Sequence, residues 1–309
     1  MILTRAAILL TAALGAWAQP NPGAVTGYTN AHDPTICKAG STWFAFTTGV
    51  GIPILTSTDR TAWKLSGVMW PSGASWTNEY TGQANANLWA PECYYDGSKF
   101  WVYYSASTFG SQKSAIFLAT STTGAPGSWT NQGLVISSAN GSAYNAIDPS
   151  LLVDNGKWYL SWGSFWTGIY FTSAVNPSTG KLTSTTSSNI AARPGNTAIE
   201  GNSIFKSGSY YYLFTSWDKC CSGTSSTYNI RVGRSTSVSG PYVDVNGVAL
   251  TSGGGTLVLG SHGSITGPGG QDVYQDSDGP ILVYHYYNSQ GSFLGINKLN
   301  FTSGWPVVI

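Results

Sequence analysis

The chain has 309 residues, with 14 Lys and Arg against 13 Asp and Glu and charged residues at only 9%. That balance excludes the basic footprint of a nucleic-acid binder and argues against a helical surface laced with ion pairs. Trp 13, Tyr 18, Phe 11 and Gly 38 favour pleated, half-buried strands joined by tight turns, and aromatic faces with little charge suit stacking on an uncharged polymer such as a saccharide.

At the N-terminus, Arg5 precedes the apolar run Ala6 to Leu14, and Ala16-Trp17-Ala18 offers small residues for cleavage. Residues 1–18 therefore read as a secretory signal peptide. A membrane anchor is the competing reading, but the run falls short of the ~20 residues a spanning helix needs. The expected product is a secreted, extracellular chain of residues 19–309 without a membrane partner, and removal of Arg5 leaves 13 basic against 13 acidic residues.

A pattern then recurs five times: a short opening segment, a strand, a glycine turn and an aromatic strand. The copies open at His32-Asp33-Pro34, Ala90-Pro91-Glu92, Ile147-Asp148-Pro149, Ile199-Glu200-Gly201 and Gly267-Pro268-Gly269-Gly270-Gln271. Their turns fall near Gly40, at Asp96-Gly97 and Asn155-Gly156, at Gly208 and at Asp278-Gly279. Asx-Gly between alternating apolar runs is a strong hairpin signal. Further runs such as Ala115 to Thr120 and Ile230 to Arg234 bring each copy to about four strands, the content of a propeller blade. The predicted fold is all-β, a five-bladed β-propeller; a two-domain β-sandwich is the alternative.

In a propeller the opening strand of each blade lines the central channel, so three repeat openings bring Asp33, Asp148 and Glu200 toward one axis. Pro34 and Pro149 are expected to hold Asp33 and Asp148 extended, away from turn-capping roles. Asp96, Asp154, Asp276 and Asp278 lie in or beside turns, where Asp satisfies local backbone N–H groups. Converging carboxyl groups suit glycoside hydrolysis, in which one acid donates a proton to the leaving oxygen and another, ionised, activates water. A third carboxylate nearby keeps the acid protonated by like-charge repulsion.

His32-Asp33-Pro34, Asn145-Ala146-Ile147-Asp148-Pro149-Ser150, Ser164-Phe165-Trp166 and Ile199-Glu200-Gly201 resemble the motifs of glycoside hydrolase family 43, and most closely its endo-1,5-α-L-arabinanases. The stretches from Tyr104 to Gly110, Ser216 to Cys221 and Gly267 to Gly270 agree with this, so the resemblance spans nearly the whole chain after residue 18. It implies a five-bladed propeller that cleaves internal α-1,5 bonds of linear arabinan, a pectin side chain, with inversion. By the family pattern Asp33 is the general base, Glu200 the general acid, and Asp148 the group that tunes the acid and orients substrate. Gly110, Asn145, Ala146, Ile147, Ser164, Phe165 and Trp166 are implied sugar contacts. An exo-acting α-L-arabinofuranosidase or β-xylosidase, and a propeller lectin that binds without cutting, are the alternatives.

Some members of the family hold Ca²⁺ at the channel centre through a histidine after Gly-Pro-Gly. This chain has Gly270 there, followed by Gln271, whose carbonyl oxygen is a candidate ligand for a hard cation; no cofactor is required by the sequence. His32, beside Asp33, is a candidate substrate contact, whereas His262 and His285 stand alone in the sequence and read as satisfying local hydrogen bonds. The adjacent Cys220 and Cys221 can close a vicinal bridge, which the resemblance places at the sugar-binding face. Cys37 and Cys93 pair across neighbouring blades or remain as buried thiols. A closed ring has no need of a partner subunit, so a monomer is expected.

Overall fold

The computed structural model describes residues 19–309; the expected signal peptide, residues 1–18, lies outside them. Five antiparallel sheets follow one another along the chain. Their innermost strands are Thr35–Ala39, Asn87–Tyr95, Ser150–Asp154, Ile199–Ser207 and Thr266–Asp276. The outer strands come from the sequence that follows each inner one, apart from Thr26–Gly27, which precedes blade 1 and adds a short parallel outermost strand to it, so each repeat builds one blade of a five-bladed propeller. The expected runs appear as strands Ser114–Ser121 and Asn229–Ser235. At Asn155-Gly156 both residues have positive φ, 50° and 74°, as a two-residue hairpin turn requires.

The second strand of each blade is buried on both faces, which explains runs with no polar alternation. In Phe100-Trp101-Val102-Tyr103-Tyr104, the side chains of Phe100, Val102 and Tyr104 pack into the core between blades 1 and 2. Those of Trp101 and Tyr103 point the other way, into the core between blades 2 and 3. Three further clusters fill the remaining blade interfaces. The stabilising burial thus lies between blades rather than in one central core, and that leaves the axis free for polar side chains.

The ring closes through its N-terminal segment. Gly23 N–H donates to Ile296 O and Leu294 N–H to Thr29 O, each at 2.8 Å, so this segment follows the third strand of blade 5 before the chain enters blade 1. Cys37 and Cys93 are bonded, joining the inner strands of blades 1 and 2. No helix among the described residues is long and apolar enough to cross a membrane.

Strand pairing puts the five repeats in one register. Thr35 pairs with Phe46, Glu92 with Tyr103, Ser150 with Ser161, Ser203 with Phe214 and Asp272 with Val283, each partner lying eleven residues further on. Two residues before these positions stand Asp33, Ala90, Asp148, Gly201 and Gly270, and all five have left-handed backbone, with φ of 44°, 41°, 56°, 55° and 55°. The expectation that proline holds Asp33 and Asp148 extended is therefore incorrect. Their backbone N–H groups are caught from the preceding blade, and those bonds offset the ~1–2 kcal/mol cost of the left-handed state.

Candidate active site

The catching groups are themselves equivalent, thirteen residues beyond the register positions. Thr48 Oγ1 accepts the N–H of Ala90 at 2.8 Å, Ser105 Oγ that of Asp148 at 3.0 Å, and Ser216 Oγ that of Gly270 at 2.9 Å. In blade 5 the same place holds His285, whose Nδ1 accepts the N–H of Asp33 at 3.0 Å. In blade 3 it holds Gly163, which has no side chain to offer, and the N–H of Gly201 is taken instead by Asp148 Oδ2 at 2.9 Å. A latch of this kind runs from every blade to the next.

On this register Asp33 and Asp148 are equivalent, but Glu200 is not. Gly201 takes the left-handed place in blade 4, and Glu200 stands one residue earlier, where blade 1 has His32. Aligning the repeats on their acids hides the offset; aligning them on the strand pairing reveals it. The side chain of Glu200 still reaches the group, because it is one methylene longer and hydrogen bonds hold it there. Ser164 Oγ donates to Oε2 at 2.6 Å and Tyr228 Oη to Oε1 at 2.9 Å.

The carboxyl groups occupy contrasting environments. Burial by itself would raise Asp33, but the His32 imidazole first, and the Thr48 hydroxyl with it, outweigh that rise, and the group stays below the ordinary carboxylate range. Thr48 Oγ1 donates to Asp33 Oδ2 at 2.8 Å. His32 itself is pushed down to about 4, chiefly by burial, and the Thr48 hydroxyl adds a smaller lowering contact to Asp33 that needs no charge to act. Asp148 and Glu200 both move upward, chiefly through burial; the carboxylates of Glu200 and Asp33 lift Asp148 further, and Asp33 makes a smaller addition at Glu200. The hydroxyls of Ser164 and Tyr228 oppose that rise at Glu200. The two carboxyl groups interact, so their protons come off as those of a pair rather than of two independent acids.

Of the other expected contacts, Ser164 is at the site, and Phe165 and Trp166 follow it with φ of 55° and 41° and more than a third of each residue exposed. The Phe165 N–H donates to Ile199 O at 2.9 Å, which places both aromatic residues over the strand that carries Glu200. Cys220 and Cys221 are bonded to each other, with their sulfurs 3.8 and 3.6 Å from His32 Nε2. Gly110 lies on an exposed turn and has no recorded bond to the carboxylates. Asn145 and Ile147 are buried, and Ala146 is wholly enclosed in the core between blades 2 and 3. No side-chain contact with a sugar is open to Ala146, which corrects that expectation.

Sequence reasoning missed Thr48, Tyr228 and Tyr287, and it misplaced His285. Far from satisfying a local bond, His285 is fully buried against Asp33 and stacks on His32 with ring centroids 4.0 Å apart. His262 bonds one local group, Gly260 O, and one distant in sequence, Pro20 O in the N-terminal segment. Glu92 and Asp272, also missed, form a second acidic level below the site. Asp272 Oδ2 accepts from Thr35 Oγ1 at 2.8 Å, and Glu92 Oε1 from the Leu151 N–H at 2.8 Å. Their signal was equivalent placement: Glu92 and Asp272 hold the same position in two repeats, each pairing with a residue eleven further on.

Among the described residues Gln271, the candidate calcium ligand, is already engaged in the channel wall. The carbonyl of Gln271 already accepts from Ser216 Oγ at 2.6 Å, and its amide donates to Gly201 O. A side chain at position 270 would meet Asp33 Oδ1 and His285. His32, Cys220 and His285 cluster closely enough to suggest a metal, but Cys220 is disulfide-bonded and has no thiolate to offer.

Comparison with known proteins agrees with this architecture. A family model, Glycosyl hydrolases family 43, matches residues 25–306. The extracellular endo-α-(1→5)-L-arabinanase 1 of Bacillus subtilis is 43% identical over 94% of this chain and 91% of its own length. The probable arabinan endo-1,5-α-L-arabinosidase A of Aspergillus fumigatus is 45% identical over 93% and 94%. The solved structure of a family 43 endo-arabinanase from Bacillus licheniformis superposes with a TM-score of 0.86 at 42% identity, covering 92% of this chain and 99% of that one. With its five blades, its channel of carboxyl groups and a family match over nearly all its described residues, the chain belongs to glycosyl hydrolases family 43.

Proposed function

We propose that the protein is a secreted, monomeric endo-1,5-α-L-arabinanase that hydrolyses linear arabinan with inversion. The observation that carries the reading is the split between Asp33 and Glu200. Two carboxyl groups at one channel are pushed in opposite directions, Asp33 toward its ionised form and Glu200 toward its protonated form, and such a split marks a base and an acid. Asp33 takes a proton from the water that attacks the anomeric carbon, while Glu200 delivers one to the departing sugar oxygen. The Glu200 carboxylate lifts Asp148, a coupling that acts in both directions and so lets Asp148 tune Glu200, and through Gly201 Asp148 fixes the strand that carries the acid. Phe165 and Trp166 supply apolar faces for the polymer, and the Cys220–Cys221 bridge beside His32 a further one. Secretion rests on the N-terminal leader pattern and on the extracellular Bacillus relative; inversion rests on the family.

The test is reducing-sugar release from linear 1,5-arabinan followed together with viscosity. An early, steep fall in viscosity is expected, and Glu200→Gln should lower turnover by about 10²–10⁴-fold. Release of sugar with unchanged viscosity would establish exo attack instead. Inert arabinan, or full activity in Glu200→Gln, would overturn the reading.

A further inference from the structure

The blade-to-blade latches are short hydroxyls in three places, Thr48, Ser105 and Ser216, whereas the one that reaches Asp33 is an imidazole. We propose that His285 is a positioning residue for the general base: its Nδ1 holds the Asp33 backbone in the left-handed conformation from which the carboxylate faces the channel. The inference rests on reading Asp33 as the base.

Three observations converge on it. First, Nδ1 lies 3.0 Å from Asp33 N and 3.3 Å from Asp33 Oδ1, so one ring atom faces both the backbone and the carboxylate of the same residue. With Nδ1 accepting the N–H, the ring proton sits on Nε2. Second, Nε2 is buried and has no hydrogen-bond partner among the described residues. A ring kept only for packing would be better served by an apolar side chain, since an unpaired buried nitrogen costs desolvation; the polar ring is explained by what Nδ1 does. Third, the space for it exists because position 270 is glycine. A Cβ there would lie 2.2 Å from Asp33 Oδ1, 2.8 Å from His285 Nδ1 and 2.9 Å from its Cε1. Gly270 and His285 therefore act together, the one vacating the volume in which the other meets Asp33. His32 closes the opposite face of the ring by stacking.

The test compares His285→Ser, His285→Asn and His285→Leu on linear arabinan, with melting temperatures measured alongside. Ser reproduces the latch of blades 2 and 4, and Asn sets an amide oxygen where Nδ1 was; Leu preserves bulk and removes the acceptor. Misplacing a reacting group by about 1 Å costs on the order of 10²-fold, so kcat of the Leu variant should fall about 100-fold with KM little changed. At least one of the Ser and Asn variants should keep kcat within about tenfold of wild type, even where its melting temperature is lower than that of the Leu variant. Wild-type kcat in His285→Leu, or equal losses in all three, would overturn the proposal. If His285→Leu does not fold, the comparison passes to Ser and Asn, and a loss of about 100-fold in both as folded proteins overturns it equally. Asp33→Asn is the control: activity there would refute the base assignment, whereas an inactive Asp33→Asn beside a fully active His285→Leu would refute only the latch.

Discussion

Asp148 and Gly201 are joined by a 2.9 Å hydrogen bond from the Gly201 N–H to the Asp148 carboxylate, and that bond gives Asp148 two separable duties. It serves as the latch that Gly163 cannot provide, and it brings a second buried carboxyl group close to Glu200.

Asp148→Asn separates these duties. The amide oxygen can still accept the Gly201 N–H, so the backbone of blade 4 keeps its place, but the charge is gone. Since the Glu200 carboxylate lifts Asp148 beyond what burial does, and such coupling is reciprocal, Glu200 should release its proton at lower pH. The expected result is an alkaline limb of kcat/KM that moves downward in pH, with melting temperature nearly unchanged. Asp148→Ala removes the bond as well and should add about 1 kcal/mol of destabilisation. A pH–rate profile and a thermal melt of both variants check this; an unmoved alkaline limb in the Asn variant would exclude the tuning role.

Ser164→Ala should move the same limb the other way. The Ser164 hydroxyl donates to Glu200 Oε2 at 2.6 Å, a bond that favours the ionised acid and opposes the upward push of burial. Without it Glu200 stays protonated to higher pH, while its side chain loses one of its two hydroxyl partners. The expected signature is an alkaline limb shifted upward together with a kcat loss of about tenfold. Measured beside Asp148→Asn, the pair gives opposite signs on one carboxyl group, which a general weakening of the fold cannot imitate.

The blades were legible because their punctuation is local: Asp96-Gly97 and Asn155-Gly156 make hairpins wherever they stand. The sites of Asp33 and Asp148 were legible for the same reason, each opening a repeat. The latches were not. His285 bonds a residue 252 positions away, and that meeting exists only because blade 5 closes against blade 1. Glu200 was found for the right chemistry at the wrong register, since the left-handed place belongs to Gly201, and only the pairing of Ser203 with Phe214 reveals the offset. Ala146 lies in a motif shared with the family, but whether its side chain faced sugar or core depended on packing between blades 2 and 3.

Glu92→Gln addresses the acidic level beneath the site. Glu92 is buried, and burial with the nearby Asp272 carboxylate lifts its carboxyl well above its ordinary value of 4.5. Below pH 4.5 the group is protonated in folded and unfolded chains alike, so its stability contribution is fully present. Above that pH the unfolded chain ionises while the folded chain keeps its proton, and stability falls by ~1.4 kcal/mol per pH unit until the folded group also ionises. Glutamine cannot ionise, yet its carbonyl can still accept the Leu151 N–H that Glu92 holds at 2.8 Å, and its amide can donate toward Thr35 Oγ1. The variant should therefore match wild type in melting temperature near pH 4 and exceed it by a margin that widens toward pH 7. Thermal melts of both proteins across that range measure the margin directly, and a difference that does not grow with pH would mean that Glu92 is ionised in the folded channel.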